Sequence, residues 1–463
     1  MFGGSPLNRL SWLRSSPAFL NGIIASPKSR WILFNAGQPL LLTKPDSPNG
    51  SLAFLSTPQV RPFLGEEPFF NQGQTAGSVV PTGQESHFTE AVRHNGQPIV
   101  FLGLHESTTN GHGALPSSDF SSKSTDAESV IAKIDGTPYF SMDVADLDVN
   151  EEEMNKSFKE TGAIKDGEKL GWGDPRALMT TMSSFDGAVY AEARSMTDWN
   201  WRNKFCPGCG SKQYSLWGGW KLACSSLLPW ADNSNRKPCP SGKGLHNYAH
   251  PRTDCVVIMC AVDQTGEKIL LGRSRKFPMK FYSALAGFIE PGETFEAAVR
   301  REMWEEAGVS VWDVTYHSGQ PWPYPANLMC GFYCRADSGK QVRVDLDNEL
   351  VDARWYTREE IRGVLGMREG TRLDYRRITE MERREMEGKK EEMERRRRRR
   401  RGYRMSAKEK EKEKEATTNA VEEPPFRVPP TTAIAGVLIR DWAEERVKFP
   451  PVEVGQSVGV ANL

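Results

Sequence analysis

Apolar and polar positions change their spacing several times along this chain, and each change marks an element. Val256-Val-Ile-Met-Cys-Ala-Val262 is apolar without a break, as in a strand buried on both faces. Gly266 then supplies a turn, and Lys268 to Leu271 reads as the hairpin partner. Phe281 to Phe288 leads into a segment of helical period, where Phe295, Val299 and Met303 recur every fourth residue as a buried stripe. Beyond it, Leu328 to Cys334 and Gln341 to Leu346 read as a pair of strands and Val351 to Tyr356 as another. Thr357-Arg-Glu-Glu360 caps a short helix.

The N-terminal third is less regular. Strand-like runs (Trp31 to Phe34, Pro39 to Leu42, Ile99 to Leu104) alternate with Gly/Pro/Ser-rich loops such as Pro45 to Ser51 and Ser107 to Asp126. Residues 177 to 200, starting Ala177-Leu-Met, read as a helix leading to Trp199 and Trp201. From about Met367 to Val421 the periodicity vanishes under Glu, Arg and Lys, with an unbroken arginine run from Arg395 to Arg401. Such a tract cannot bury enough apolar surface to offset ordering entropy, so it reads as disordered or as a solvated single helix.

A chain of 463 residues should hold two to three domains. Its formal net charge is zero, so overall charge selects no partner. Eight cysteines without a pairing framework or secretory leader suit a reducing compartment. Cys255, Cys260, Cys330 and Cys334 sit in apolar runs and are most simply buried thiols. No apolar run approaches the roughly 20 residues that cross a bilayer, so no membrane partner is expected. Arg9, Arg14, Lys28 and Arg30 would suit a mitochondrial presequence, but Pro6, Pro17 and Pro27 interrupt any amphipathic helix there.

Candidate chemistry concentrates in Gly287-Phe-Ile-Glu-Pro-Gly-Glu293-Thr-Phe-Glu-Ala-Ala-Val-Arg-Arg301-Glu302-Met-Trp-Glu305-Glu306-Ala-Gly308-Val309. On a helix, Glu302, Glu305 and Glu306 share one face. Like charges so close repel unless a cation lies among them. Hard divalent metals such as Mg²⁺ or Mn²⁺ take oxygen ligands and arrive with a substrate's phosphates. Glu302 and Glu306 border the apolar stripe, where an unneutralised charge is costly. Gly287 and Gly292 bound the entry loop, Pro291 stiffens it, and Gly308 ends the helix. The bland alternative is an exposed, salt-bridged helix, which needs neither the flanking glycines nor carboxylates crowding one turn.

Two further patterns stand out. In Gln320-Pro321-Trp322-Pro323-Tyr324-Pro325-Ala326-Asn327, prolines alternate with aromatics. Such a stiff segment cannot join a central strand, and its flat rings suit stacking on a base. The competing reading is a Pro-rich loop capping a core edge. Cys206-Pro-Gly-Cys209, followed by Cys224 and Cys239, offers four thiolates for a closed structural zinc site. His246 and His250 remain conceivable substitutes for the fourth ligand. A redox role for the Cys-x-x-Cys pair is weaker, because no strand-helix pattern follows Gly210.

The glutamate-rich segment resembles the Nudix box, Gly-x5-Glu-x7-Arg-Glu-U-x-Glu-Glu-x-Gly-U with U a bulky apolar residue, at every defined position. That resemblance implies metal-dependent hydrolysis of a nucleoside diphosphate linked to another moiety. Glu302 and Glu306 would be metal ligands, and Glu305 a further ligand or a helper of the attacking water. Arg301 would orient the glutamates and Glu293 brace the loop-helix turn. Ala286 and Glu349 join the implied metal-binding set, Glu349 through its register with Trp355.

The proline-aromatic segment is similar to the Ser-Gln-Pro-Trp-Pro-Phe-Pro-x-Ser element of the NADH pyrophosphatase branch, with Gly319, Tyr324 and Asn327 as departures. In that branch a zinc ribbon precedes the Nudix domain, where the cysteines lie here; His250-Pro251-Arg252 stands where many members have Tyr-Pro-Arg. Val428-Pro-Pro-Thr-Thr-Ala-Ile434-Ala435 resembles the family's closing helix, with Ala435 where the backbone meets substrate. Phe288 would lie near the dinucleotide.

The resemblance therefore implies an α+β chain: a Nudix α/β/α sandwich with a mixed sheet, preceded by a small zinc ribbon and an N-terminal α+β domain. The expected bounds are 1–195 for a Nudix-like accessory domain, 196–252 for the ribbon and 253–450 for the hydrolase domain, the last carrying the disordered charged insertion at about 367–421. Residues 451–463 form a tail. It ends Ala461-Asn462-Leu463, similar to a relaxed type 1 peroxisomal signal, so a fungal-type peroxisomal member and its import receptor are expected, with the cytoplasm as the alternative. The implied reaction is hydrolysis of the pyrophosphate of NADH or NAD⁺ to nicotinamide mononucleotide and AMP, by a homodimer using Mg²⁺ or Mn²⁺ and one structural Zn²⁺ per chain. NAD-capped RNA is the competing substrate, with Arg395 to Arg401 offering phosphate contacts; a charged spacer without a partner is the simpler reading of that run. A non-catalytic zinc-ribbon binding protein on a relic Nudix fold should lack box glutamates, and none is missing here.

Overall fold

The computed structural model describes residues 6–45, 47–72, 90–106, 127–132, 134–174, 182–228, 230–243, 250–277, 280–347, 349–371 and 424–451. The arginine run, the C-terminal tail, His246 and the loop Ser107 to Asp126 lie outside them. Two compact units divide the chain: Met1–Asp254 with Pro321–Asn327, and Cys255–Gln320 with Leu328–Leu463.

The first unit is built on α1 (Pro17–Ile24), β1 (Arg30–Asn35), β2 (Gln38–Lys44), β3 (Ser47–Leu52), β4 (Leu55–Ser56), α2 (Thr57–Leu64), β5 (Val92–Arg93) and β6 (Val100–Glu106), followed by α3 (Ala127–Ala132), β7 (Gly136–Asp143), α4 (Glu151–Glu160) and β8 (Lys169–Trp172). One sheet runs β3-β2-β1-β7-β6, with β4 on β1 and β8 on β2. β1 and β7 are parallel, which makes this sheet mixed. Trp31 stacks on Phe140 in its core. Helix α5 (Ser184–Arg202) covers the other face with Val189, Tyr190, Ala193 and Met196. A second sheet joins the hairpin β9 (Gln213–Leu216) and β10 (Lys221–Cys224) to β5.

Two expectations fail in this unit. Ser47 to Leu52, taken with the loop Pro45 to Ser51, is strand β3; it ends the sheet order, and an edge strand tolerates Pro48 and Gly50. The helix expected from Ala177 starts at Ser184, where the Ser183 hydroxyl accepts from the Asp186 N–H and fixes the first turn; residues 175–181 lie outside the described set.

The second unit follows from the apolar run in β11 (Asp254–Asp263), which pairs with β12 (Lys268–Ser274) and β13 (Leu285–Phe288), both antiparallel. Successive side chains point to opposite faces. Val257, Met259 and Ala261 enter one core with α6 (Phe295–Ala307), while Ile258, Cys260 and Val262 enter another with α7 (Arg358–Gly366) and α8 (Ile434–Ala443). One strand thus feeds both cores of an α/β/α sandwich. The sheet order is β14 (Val311–Trp322), β15 (Asn327–Ala336), β11, β12 and β16 (Leu350–Thr357). The Thr357 capping box forms as expected.

Here too the structure corrects the reading. Gln341 to Leu346 is not a strand. Its alternation is real, since Val342 and Val344 pack on the core, but the Arg343 N–H donates to Ala307 O at the end of α6 and no ladder forms. β14 takes the expected place beside β15; its final residues, Pro321 and Trp322, lie at the sheet edge, where a missing N–H costs nothing. Phe295 is 40% exposed, and the buried stripe of α6 is Ala298, Val299, Met303 and Ala307. As the first helical residue, Phe295 turns toward the Phe332 ring at the rim. Cys260, Cys330 and Cys334 are buried thiols, whereas Cys255 near the start of β11 is only half-buried. Residues 372–423 lie outside the described set; beyond them the Arg427 N–H donates to Lys280 O at 2.7 Å and the Val428 N–H to Gly370 O at 3.0 Å.

Candidate active site

Three features hold the entry to α6. The Thr294 hydroxyl caps the helix by accepting from the Ala297 N–H. Glu293 accepts from the Glu290 N–H. Arg301, two turns along, reaches back to Glu293 through Nε (2.7 Å) and Nη2 (2.8 Å), and Nη2 also donates to Phe288 O. Its Nη1 donates to Glu302 at 2.7 Å and to Glu305 at 2.9 Å. Arg301 therefore ties the loop to the helix and gathers three carboxylates. The Arg301 bonds, with the Glu290 amide, hold Glu293 down to about 2, and the same carboxylates raise the guanidinium further above its ordinary value.

Glu306 stands apart. It is 4% exposed, one turn past Glu302, and makes no ion pair among the described residues. Burial first, then the charges of Glu302, Glu349 and Asp347, push its carboxyl up to about 9, while the Ala286 backbone amide eases the shift. Burial also raises Glu302, against the pull of Arg301. Glu349 is exposed just before β16, yet its charge acts on both Glu302 and Glu306. A buried carboxylate beside three like charges, itself paired with no cation among the described residues, is suited to a metal ion with open positions. Gly287 makes room for it. A Cβ there would lie 1.9 Å from the Glu302 carboxyl carbon, so no other residue lets this carboxylate approach β13.

The structure thus places Arg301, Glu302, Glu305, Glu306, Glu349, Ala286 and Phe288 around one helix face, with Phe288 56% exposed. Asp347 joins their field without having been expected; nothing in its charged, non-periodic surroundings sets it apart from its neighbours.

Gln320 is differently employed. It is 7% exposed; its Nε2 donates to Thr432 O at 2.9 Å and its Oε1 accepts from the Ile434 N–H at 2.8 Å. The carboxamide fastens the first turn of α8, whose N-cap Ala433 has no side-chain cap, and so fixes buried Ala435. Pro321–Asn327 is counted with the first unit, where Trp322 and Tyr324 pack edge to face at 5.6 Å against the core of α5. Pro323 is buried, Pro321 exposed, and Pro325, Ala326 and Asn327 half-buried. The Ala326 carbonyl accepts from the Asp254 N–H.

In the ribbon, Cys206, Cys209, Cys224 and Cys239 bring their sulfurs within 4.8 Å of one another, the one such convergence of His, Cys, Asp or Glu ligands among the described residues. The knuckle turns because the Gly210 N–H, at φ 73°, donates to Cys206 O. Cys224 closes β10 and Cys239 precedes a short 3₁₀ turn. Sγ–Sγ distances of 3.6 Å (Cys206–Cys239) and 3.3 Å (Cys209–Cys224) are close to the roughly 3.8 Å of a tetrahedron with metal–sulfur bonds of about 2.3 Å. The set could hold a metal ion. His250 packs on the Trp217 ring instead.

Comparison with known proteins agrees with this geometry. The NUDIX domain family matches residues 251–380. An NAD-capped RNA hydrolase of Schizosaccharomyces pombe is 35% identical over 363 residues, covering 78% of this chain and 84% of its own. One from Saccharomyces cerevisiae is 31% identical, covering 78% and 85%. A human NAD-capped RNA hydrolase is 44% identical over 191 residues, or 41% of this chain and 39% of its own.

Proposed function

This chain belongs to the Nudix family and is a hydrolase of phosphorus anhydrides, and from that premise we propose that it cleaves the central pyrophosphate of an NAD moiety. With NADH or NAD⁺ the products are AMP and nicotinamide mononucleotide, reduced when NADH is the substrate. The observation that carries this reading is buried Glu306, without an ion pair among the described residues, beside Glu302 and within the field of Glu349.

Glu302, Glu306 and Glu349 would hold Mg²⁺ or Mn²⁺, with Glu305 as a further ligand or proton acceptor. Bound there, such an ion neutralises phosphate oxygens and lowers the pKa of a bound water. Arg301 fixes the glutamates against the Phe288 carbonyl, so their positions are set before substrate arrives. Gln320 sets the closing helix, and Phe288 offers an exposed ring for a base. The four cysteines would hold one structural Zn²⁺, leaving no open position for catalysis.

NAD-capped RNA is a second reading, favoured by the names of the relatives. It presents the same pyrophosphate with an RNA chain attached. A homodimer, with delivery to peroxisomes by an import receptor, completes the proposal. The test is product analysis after incubating the full chain with NADH, NAD⁺ or NAD-capped RNA and Mg²⁺ or Mn²⁺. Equimolar AMP and nicotinamide mononucleotide from the free dinucleotides are expected. If both dinucleotides and the cap stay intact while another nucleotide is cleaved, the substrate assignment is wrong.

A further inference from the structure

A cavity of about 350 Å³ opens in the first unit, far along the sequence from the acidic cluster. Its walls come from the C-terminal end of α5, the turn after β5 and strand β9. Four side chains there carry buried polar atoms without hydrogen-bond partners: Asn200 Oδ1, Gln213 Oε1, Ser215 Oγ and His94 Nε2. Asn200 and Ser215 are more than nine-tenths buried. The orientation of Asn200 is fixed, because its Nδ2 donates to Met196 O and Gly219 O, both at 2.9 Å, so the oxygen is the atom left over. An unmatched buried polar atom gives up its hydrogen bonds to water without replacement, and four in one wall are unusual. Two are carboxamide oxygens, which ask for N–H donors.

The charge and the rings around this wall point the same way. The Arg93 guanidinium donates to the carbonyls of Gln97, Phe69 and Leu64 and makes no ion pair among the described residues; of the two carboxylates in the wall, Asp146 pairs with Lys204 and Asp143 accepts from the Ala36, Gly37 and Ala145 N–H groups. Lys212 is exposed at the rim and makes no ion pair among the described residues. Phe205, 60% exposed, lines the same opening. Buried acceptors, an excess of cations (Arg93, Lys204, Lys212) over carboxylates (Asp143, Asp146) and an open aromatic ring together describe a flat nitrogen heterocycle bearing amino hydrogens and a phosphate.

We propose that this cavity is a second, non-catalytic site for a mononucleotide, with its amino-bearing ring against Asn200 and Gln213 and its phosphate toward Lys212. The site shares no residue with the acidic cluster, so it stands whatever bond that cluster cleaves. Calorimetry on the full-length chain tests it, in a Glu306→Gln background without divalent cation so that the acidic site is silent. AMP and nicotinamide mononucleotide are the two probes, with ribose 5-phosphate and inorganic phosphate as controls. At least one probe should bind saturably, and the two arms tell which ring is preferred. Lys212→Glu and Gln213→Leu should each weaken that binding by about 10-fold, as loss of a charge-assisted or buried hydrogen bond does. Lys212→Glu alone, with Glu306 intact, should hydrolyse substrate at the parent rate. The proposal falls if neither nucleotide binds, if ribose 5-phosphate binds as tightly, if both substitutions leave affinity unmoved, or if Lys212→Glu abolishes hydrolysis.

Discussion

Replacing Glu306 with Gln separates two things that a buried carboxylate does in this fold. In the metal-free protein its carboxyl is pushed up to about 9, against an ordinary value of 4.5. Between those values the folded state holds a proton that the unfolded chain has released. Stability must therefore fall as pH rises through that window, and the loss is complete only above the folded value. At about 1.4 kcal/mol per pH unit, the charge costs at most about 5 kcal/mol near pH 8; relaxation and water entry reduce this to roughly 2–4 kcal/mol. Gln keeps the shape and drops the charge. In buffers freed of divalent cations, Glu306→Gln should be more stable than the parent near pH 8 and equal to it near pH 4. Added Mg²⁺ or Mn²⁺ should reverse the ranking, because only the parent binds it through this side chain. Urea unfolding at several pH values, with and without metal, reads both effects. A metal-free Glu306→Gln chain less stable than the parent at pH 8 would refute the reasoning.

Three smaller tests follow from the same geometry. Gly287→Ala introduces a Cβ 1.9 Å from the Glu302 carboxyl carbon, so the carboxylate must move while the fold survives; metal affinity, read by titrating activity with Mn²⁺, should fall about 10- to 100-fold with little change in melting temperature. Gln320→Met deletes both bonds that fasten α8 and should cost about 1–3 kcal/mol in urea unfolding; Gln320→Glu keeps the acceptor for the Ile434 N–H but turns an oxygen toward Thr432 O, so it should lose less than Met only near pH 4, where its buried carboxyl stays protonated. Cys239→Ser removes one of four converging thiols, so elemental analysis should find bound zinc reduced about 10-fold or more from the parent level.

Helix α6 was legible because its punctuation is local. Thr294 caps it, Gly308 ends it at φ 65°, and the spacing of Glu302, Glu305 and Glu306 follows from 3.6 residues per turn. The central strand was legible because burial on both faces leaves an unbroken apolar run. What escaped depends on partners distant in sequence. β14 mixes polar, aromatic and proline residues because an edge strand satisfies only one neighbour. Gln341 to Leu346 alternates like a strand because Val342 and Val344 face the core, though a single bond to the end of α6 replaces a ladder. The contribution of Asp347, the commitment of Gln320 to backbone and the clearance at Gly287 are all distances across the fold, which no spacing along the chain encodes.

The bond from the Val428 N–H to Gly370 O brings the two borders of the charged stretch to a single point. Ends pinned to one another in this way keep their places whatever length of chain joins them. By polymer statistics, doubling the length between two pinned ends adds only about 0.6 kcal/mol. Deletions, duplications or foreign cargo grafted at this junction should leave the hydrolase scaffold standing, so a lineage can lengthen or rewrite that passage without renegotiating its core.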